Sequence, residues 1–173
     1  MYAVTDPEVG YCQGMGFIGA MLLTYMSEDD AFYCFYAALT RPTAPLRLMY
    51  LPQMVEMQKV LFVFQKLGAL HLGALWVHLA AEGVHPSMYV TEWVMPMYCR
   101  GFSFDLVTRV WDVLLSEGRL KIMYRVALAI LKYLERDFLC ACFEEIMALI
   151  RSIPSQIDAE AVMEVTSVCI VPR

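Results

Sequence analysis

Charge is scarce in this chain, and clustered cations are missing altogether. Thirteen Lys and Arg stand against eighteen Asp and Glu in 173 residues, so only 18% of positions are charged and the formal net charge is -5. A nucleic-acid surface needs concentrated basic side chains to displace counterions from phosphates, and the scattered cations here provide none. No C-x-x-C pair occurs among the cysteines at 12, 34, 99, 140, 142 and 169, which excludes zinc-ribbon spacing and a small disulfide scaffold and suits a reducing cytosol. No basic n-region followed by a small-residue cleavage site opens the chain, so a signal peptide is not expected. Sustained apolar/polar alternation is absent, as are Asn-Gly and Asp-Gly hairpin signals, which leaves little support for strands. Linkers, low-complexity tracts and internal repeats are missing too, and the length suits one domain over residues 1–173.

What the chain has in excess is apolar surface. Hydrophobic residues make up 60% of it, above the usual range of roughly 45–50%. Either lipid surrounds the protein, or most of the chain is interior and further polypeptide or a partner covers it. The longest uncharged window, Val9 to Ser27, contains Gln13 and four glycines, and the next, Leu67 to Ala81, is too short to span a bilayer and holds His71 and His78. A membrane span is therefore the weaker reading, although composition alone keeps an integral membrane protein as an alternative.

Helix punctuation is plentiful. Ser27, with Asp30 three residues on, caps a helix that Pro42 stops after Thr40. Pro52 suits a first helical turn and Gly68 the end of that helix; another is expected from Ala69 to Ala81, closed near Gly83. Pro86 opens "PSMYVTEWV", which Pro96 should kink or end. Ser103 and Asp105 open a helix with Phe104, Val107, Trp111, Leu114 and Leu115 on its apolar face, ending before Gly118. Met123, Ala127, Ile130, Leu131 and Leu134 line the next. Leu139, Cys142, Phe143, Ile146, Met147 and Ile150 continue the pattern before Pro154, with Cys140 and Cys142 expected as buried thiols, and Asp158 caps a last helix. The expectation is an all-α, multi-helix domain of eight or nine helices.

Several constellations invite chemistry and do not support it. Gly14, Gly16 and Gly19 match G-x-G-x-x-G, but no strand precedes them and residues 37 to 41 offer no acid for a ribose. His71, His78 and His85 are seven apart, roughly 10 Å of helical rise between neighbours, too far for one metal ion. Glu144 with Glu145 and Asp29 with Asp30 fall on solvated faces. Trp111 falls on an apolar stripe and is expected in the core, while Arg109 and Asp112 are expected to fasten neighbouring helices. Gln13 is different. It stands between the Gly10 turn and Gly14, just ahead of the apolar helix "FIGAMLLTYM". It either caps that helix or presents a carboxamide, with donor and acceptor together, to a ligand or a water.

The segment "DPEVGYCQGMGFIGAMLLTYMSEDDAFYCF", with Tyr11, Cys12 and Gln13 as Y-x-Q, resembles the second signature of TBC domains, the GTPase-activating domains for Rab small GTPases. "EGVHPSMYVTEWVMPMYCRGFSFDLVTRVWDVLLSEG", with Arg109, Trp111 and Asp112 as R-x-W-D, resembles the family's later block, and "RVALAILKYLE" its following helix. Pro96 and Tyr98 depart from the family, which tends to have a non-proline and a phenylalanine there. The resemblance implies an all-α fold and a cytoplasmic protein, peripheral on membranes at most through its partner. That partner, a Rab-family GTPase, would hold GTP and Mg²⁺, so this chain needs no cofactor or metal of its own. Gln13 would be the catalytic glutamine finger, with Tyr11, Cys12 and Gly14 as GTPase-binding neighbours. The family's arginine finger, in an I-x-x-D-x-x-R motif, precedes Y-x-Q, and no D-x-x-R occurs in these residues. The expectation is therefore a partial TBC domain lacking its amino-terminal helices, close to inactive alone and prone to oligomers through uncovered apolar surface. The alternative is a non-catalytic Rab-binding or scaffolding module.

Overall fold

A computed structural model describes residues 1–41 and 46–168, and among them it contains helices and turns but no strand. Eight helices of nine residues or more carry the architecture. They are α2 (Met15–Leu23), α3 (Glu28–Thr40), α5 (Val55–His71), α6 (Gly73–Ala81), α8 (Phe104–Glu117), α9 (Lys121–Tyr133), α11 (Phe143–Gln156) and α12 (Ala159–Val168). Four shorter ones, α1 (Tyr2–Thr5), α4 (Arg47–Tyr50), α7 (Val90–Val94) and α10 (Glu135–Leu139), and one 3₁₀ turn at Pro86–Met88 join them. The all-α expectation holds, with more and shorter segments than the eight or nine foreseen.

Local chemistry explains most of the boundaries. Ser27 accepts the Asp30 amide at 3.3 Å and starts α3, which ends at Thr40; Pro42, assigned the stop, lies outside the described residues. Ser103 accepts the Leu106 amide, and Gly118 closes α8 in the left-handed conformation (φ 63°) that glycine adopts without steric cost. Asp158 accepts the Glu160 and Ala161 amides at the start of α12.

Tertiary packing overrides the punctuation elsewhere. Helix α5 does not stop at Gly68; it runs on to His71 and starts only at Val55, after Gln53 and Met54 take left-handed angles, so Pro52 sits in a turn. Gly68 serves contact instead, since a Cβ there would come within 2.2 Å of the Trp76 ring. The chain then bends by 119° into α6, which begins at Gly73 rather than Ala69. That bent pair has the composition of a membrane segment, but no single helix among the described residues is long and apolar enough to cross a bilayer, and both helices bury residues in the core, Phe64 and Leu75 among them. "PSMYVTEWV" is broken at Tyr89 into the 3₁₀ turn and α7. Helix α11 passes through Pro154, which sits against Gly101 in its last turn.

Two expectations about side chains are corrected. Cys140 and Cys142 are exposed, because the chain breaks between α10 and α11, where Cys142 becomes the cap and Glu145 accepts its amide at 2.9 Å. On α8 the core face is rotated: Leu106 and Val110 are buried beside Val107, Trp111 and Leu114, while Phe104 and Leu115 are more than half exposed.

The core centres on α9, which packs against α8, α12, α7 and α10 and buries every residue from Val126 to Leu131. Arg125 reaches across to donate two hydrogen bonds, at 3.1 and 2.9 Å, to the Thr166 carbonyl of α12.

Candidate functional site

The segment from Asp6 to Met15 links α1 to α2 as a loop bent at two glycines. Gly10 has φ 62° and donates its amide to the Asp6 carbonyl at 2.9 Å, closing the first turn. Gly14, the residue before α2, has φ 113°, an angle that L side chains rarely adopt. A Cβ at Gly14 would find ordinary contact distances, 3.5 Å to the Pro96 nitrogen, so the backbone angle rather than crowding demands glycine. The backbone that lies against this end of the loop is the Met95–Pro96 peptide.

Between the two glycines the predicted site residues separate clearly. Tyr11 is 72% exposed, and Gln13 is exposed with no hydrogen bond to its carboxamide among the described residues. Cys12 is half-buried, its amide donates to the Met15 sulfur at 3.4 Å, and burial pushes its thiol pKa up, so it stays a neutral packing group. Gly14 is buried. Of the two readings of Gln13, the helix cap fails: Gly14 takes the cap position and no side chain caps the helix. A donor and an acceptor therefore stand at the surface on a short, glycine-bounded loop, able to orient a polar ligand or water without adding charge.

The start of the loop is fastened, as is the peptide behind its end, and the sequence reading missed both fasteners. Arg47 of α4 donates to Asp6 from Nε at 2.5 Å and from Nη2 at 2.9 Å, and reaches Glu8 at 2.6 Å. Tyr2 adds a hydroxyl donor to Asp6 at 2.8 Å. The guanidinium beside it holds the Asp6 carboxyl down at about 2, while burial first, and then the bond to Asp6, pushes the Tyr2 phenol up to about 12. Behind the other end, the Tyr50 hydroxyl donates to the Met95 carbonyl at 2.5 Å, fixing the peptide that lies against Gly14. A signal existed in the sequence: Arg47 is the lone charge between Arg41 and Glu56, in a stretch where a cation needs a partner.

The peptide behind Gly14 is itself held from below. Met97 and Tyr98 take left-handed angles (φ 52° and 62°), strained for residues with side chains. Trp111 donates its indole N–H to the Met97 carbonyl at 3.3 Å, and the Tyr98 hydroxyl donates to the Met123 carbonyl at 2.7 Å. Trp111 is in the core as expected, with this added duty, and Pro96 and Tyr98 sit at the turn that ends α7. Arg109 and Asp112 do not fasten helices together: Arg109 pairs with Asp105 of its own helix at 3.3 Å, and Asp112 is exposed.

The rejected constellations disperse. Gly16 and Gly19 lie inside α2, so no phosphate-binding loop forms. The three histidines fall on different elements, His78 contacting the Ala141 carbonyl at 3.0 Å, and no cluster of potential metal ligands occurs among the described residues. Glu144 and Glu145 occupy the first turn of α11, and the Cys142 amide lowers the Glu145 pKa, as capping requires.

Around the loop the surface is apolar. A groove of about 290 Å³ on one side of α2 is lined by Tyr2, Tyr11, Gly16, Gly19, Leu23 and Phe32. On its other side Phe17 is 43% exposed, and Tyr25 stacks on Phe104 with ring centroids 5.8 Å apart.

Comparison with known proteins adds the following. The family model described as the Rab-GTPase-TBC domain matches residues 1–139. The chain is 34% identical over 158 residues to Ecotropic viral integration site 5 protein homolog of Homo sapiens, a match that covers 91% of this chain and 19% of that protein. It superposes on the crystal structure of the Chlamydomonas flagellar RabGAP TBC domain with a TM-score of 0.78 and 27% identity, covering 95% of this chain and 55% of that one. The Ypt/Rab-GAP domain of Gyp1p shares the fold, with a TM-score of 0.82 at 19% identity, over 96% of this chain and 60% of its own. The chain thus spans about a fifth of the human relative's length.

Proposed function

The chain belongs to the Rab-GTPase-TBC domain family, and from that premise we propose that it is the glutamine-bearing part of a domain that stimulates GTP hydrolysis by a Rab small GTPase. One observation carries the reading: the Gln13 carboxamide stands exposed and unbonded among the described residues, on a loop whose start is tied to Arg47 and whose end packs on the Met95–Pro96 peptide. On docking, that carboxamide enters the partner's nucleotide site and orients the attacking water, with the exposed Tyr11 against the partner's switch segments; of the other two expected contact residues, half-buried Cys12 and buried Gly14 shape the loop instead. GTP and Mg²⁺ come with the partner. The charge that develops on the phosphoryl oxygens needs a cation, and a guanidinium from an upstream arginine motif supplies it. Residues 1–173 alone are then nearly inactive, since an arginine finger is worth roughly 10³ to 10⁵ in rate. The site of action on this reading is the cytoplasm, with membranes reached only through the GTPase, and the exposed Phe17, Leu23 and Tyr25 favour self-association when nothing covers them.

The test is single-turnover GTP hydrolysis on a Rab panel. It compares residues 1–173, a chain extended on the amino side to include the arginine motif, and the extended chain with Gln13→Ala. The extended wild type accelerates hydrolysis on the order of 10³-fold over residues 1–173, and the alanine variant loses most of that gain. Equal rates for the last two chains would remove the role given to Gln13. GTP-dependent binding without acceleration by any of the three would favour the non-catalytic Rab-binding module.

A further inference from the structure

We propose that Arg47 is a positioning residue for the glutamine finger: from α4 it grips Asp6 and Glu8 and so holds the Asp6–Gly14 segment in the shape that presents Gln13. This deepens the Rab-activating reading and rests on it. The geometry is unlike that of an ordinary surface ion pair. Arg47 meets Asp6 through two nitrogens at 2.5 and 2.9 Å and Glu8 at 2.6 Å, and the Asp6 pairing joins residues 41 apart in sequence. A two-pronged guanidinium contact fixes direction as well as distance, which a point charge does not. The Asp6 side chain is 13% exposed and that of Arg47 25%, so water screens the pair less than it screens the lysine pairs Lys59–Glu56 on α5 and Lys132–Glu135 between α9 and α10.

The grip reaches the glutamine through a short covalent path. Asp6 takes Arg47 on its carboxylate while its carbonyl accepts the Gly10 amide, so the side chain that Arg47 orients belongs to the residue that closes the turn. Three residues beyond Gly10 is Gln13. Helix α4 also fixes the backbone beside the far end, because Tyr50, three positions after Arg47 and on the same helix turn, holds the Met95 carbonyl of the peptide that lies against Gly14. One four-residue helix thus grips the start of the loop directly and holds the peptide against which its end packs. Asp6 and Glu8 take three of the five N–H donors of Arg47, from Nε and Nη2, so the guanidinium is directed at the start of the loop.

Two measurements test this. Amide hydrogen exchange on residues 1–173 reads loop order without any GTPase. In Arg47→Gln the amides of Gly10 and Cys12 exchange faster by roughly tenfold or more, while those of Val126 to Leu131 keep the wild-type rate. Arg47→Lys, which keeps charge but not the fork, falls between. Loop amides at the wild-type rate in Arg47→Gln, or an equal rise throughout the chain, would overturn the proposal. Kinetics on the extended chain then separate positioning from contact. Arg47→Gln lowers kcat on the order of 10²-fold with KM within about a factor of two, because a misplaced group loses rate rather than binding. A change in KM alone would make Arg47 a contact residue and refute the positioning role. If the extended wild type accelerates no Rab, the GTPase reading fails by itself, and the exchange data still show whether Arg47 orders the loop.

Discussion

Helices α2 and α9 set composition against fate. Helix α2, "MGFIGAMLL", contains no charged residue, yet Phe17, Ala20 and Leu23 lie exposed along one side. Helix α9, "KIMYRVALAILKY", carries three cations and buries eight residues, six of them in succession. Apolar character decides what a helix gains from being covered, and its neighbours decide whether it is covered. Among the described residues α2 packs mainly on α3, whereas α9 is surrounded by α7, α8, α10 and α12. The glutamine loop leads into the first of these, so the proposed working surface and the uncovered surface coincide, while the centre of the fold lies under α8 and α12.

Cutting the same side chain from each helix is the sharpest way to break the contrast. Leu131→Ala in α9, at a site 1% exposed, should cost about 3 kcal/mol, seen as a lower urea midpoint with unchanged slope. Removing the Ser103 cap beneath the same core, Ser103→Ala, should cost about 1 kcal/mol by the same measurement. The loop end responds to acid. Asp6 titrates near 2 in the fold against an ordinary 3.8, so the unfolded chain binds more protons between those values, and stability falls as pH drops through them. Arg47, Tyr2 and, through Arg47, Glu8 face that carboxyl. The stability gap between wild type and Asp6→Asn should therefore stand at pH 6 and close between about pH 4 and 2. A gap that widened with acid would contradict the ion pair. Smallest in energy, Leu23→Ala at a position 53% exposed should change stability by under about 0.5 kcal/mol. Leu23→Lys should move sedimentation toward the monomer, and an unchanged profile would show that α2 does not drive association.

Much of the carboxy-terminal half was legible, and the reason is local. Ser103, Gly118 and Asp158 act through bonds within three or four residues, so caps read from sequence reappear in the fold. Gly68 and Pro154 resist a local reading because each answers to a residue outside its own helix: the Trp76 ring of α6 for one, Gly101 for the other. Cys140 and Cys142 lie in an apolar run that is continuous in the sequence and that the fold breaks in two. At the site, Gln13 and its bounding glycines were visible as an unusual local pattern. Arg47 was visible only as an isolated charge, since its partners lie about forty residues earlier.

The amino-acid sequence by itself determined the helical periodicity, the caps and the glycine-bounded loop that carries Gln13, because these depend on backbone angles and hydrogen bonds between near neighbours. Only the tertiary structure decided that α9 would be enclosed and α2 left bare, and that α4 would hold both the start of the loop and the peptide behind its end. Burial and long-range ion pairing depend on which surfaces meet, and that depends on every helix together rather than on any one segment.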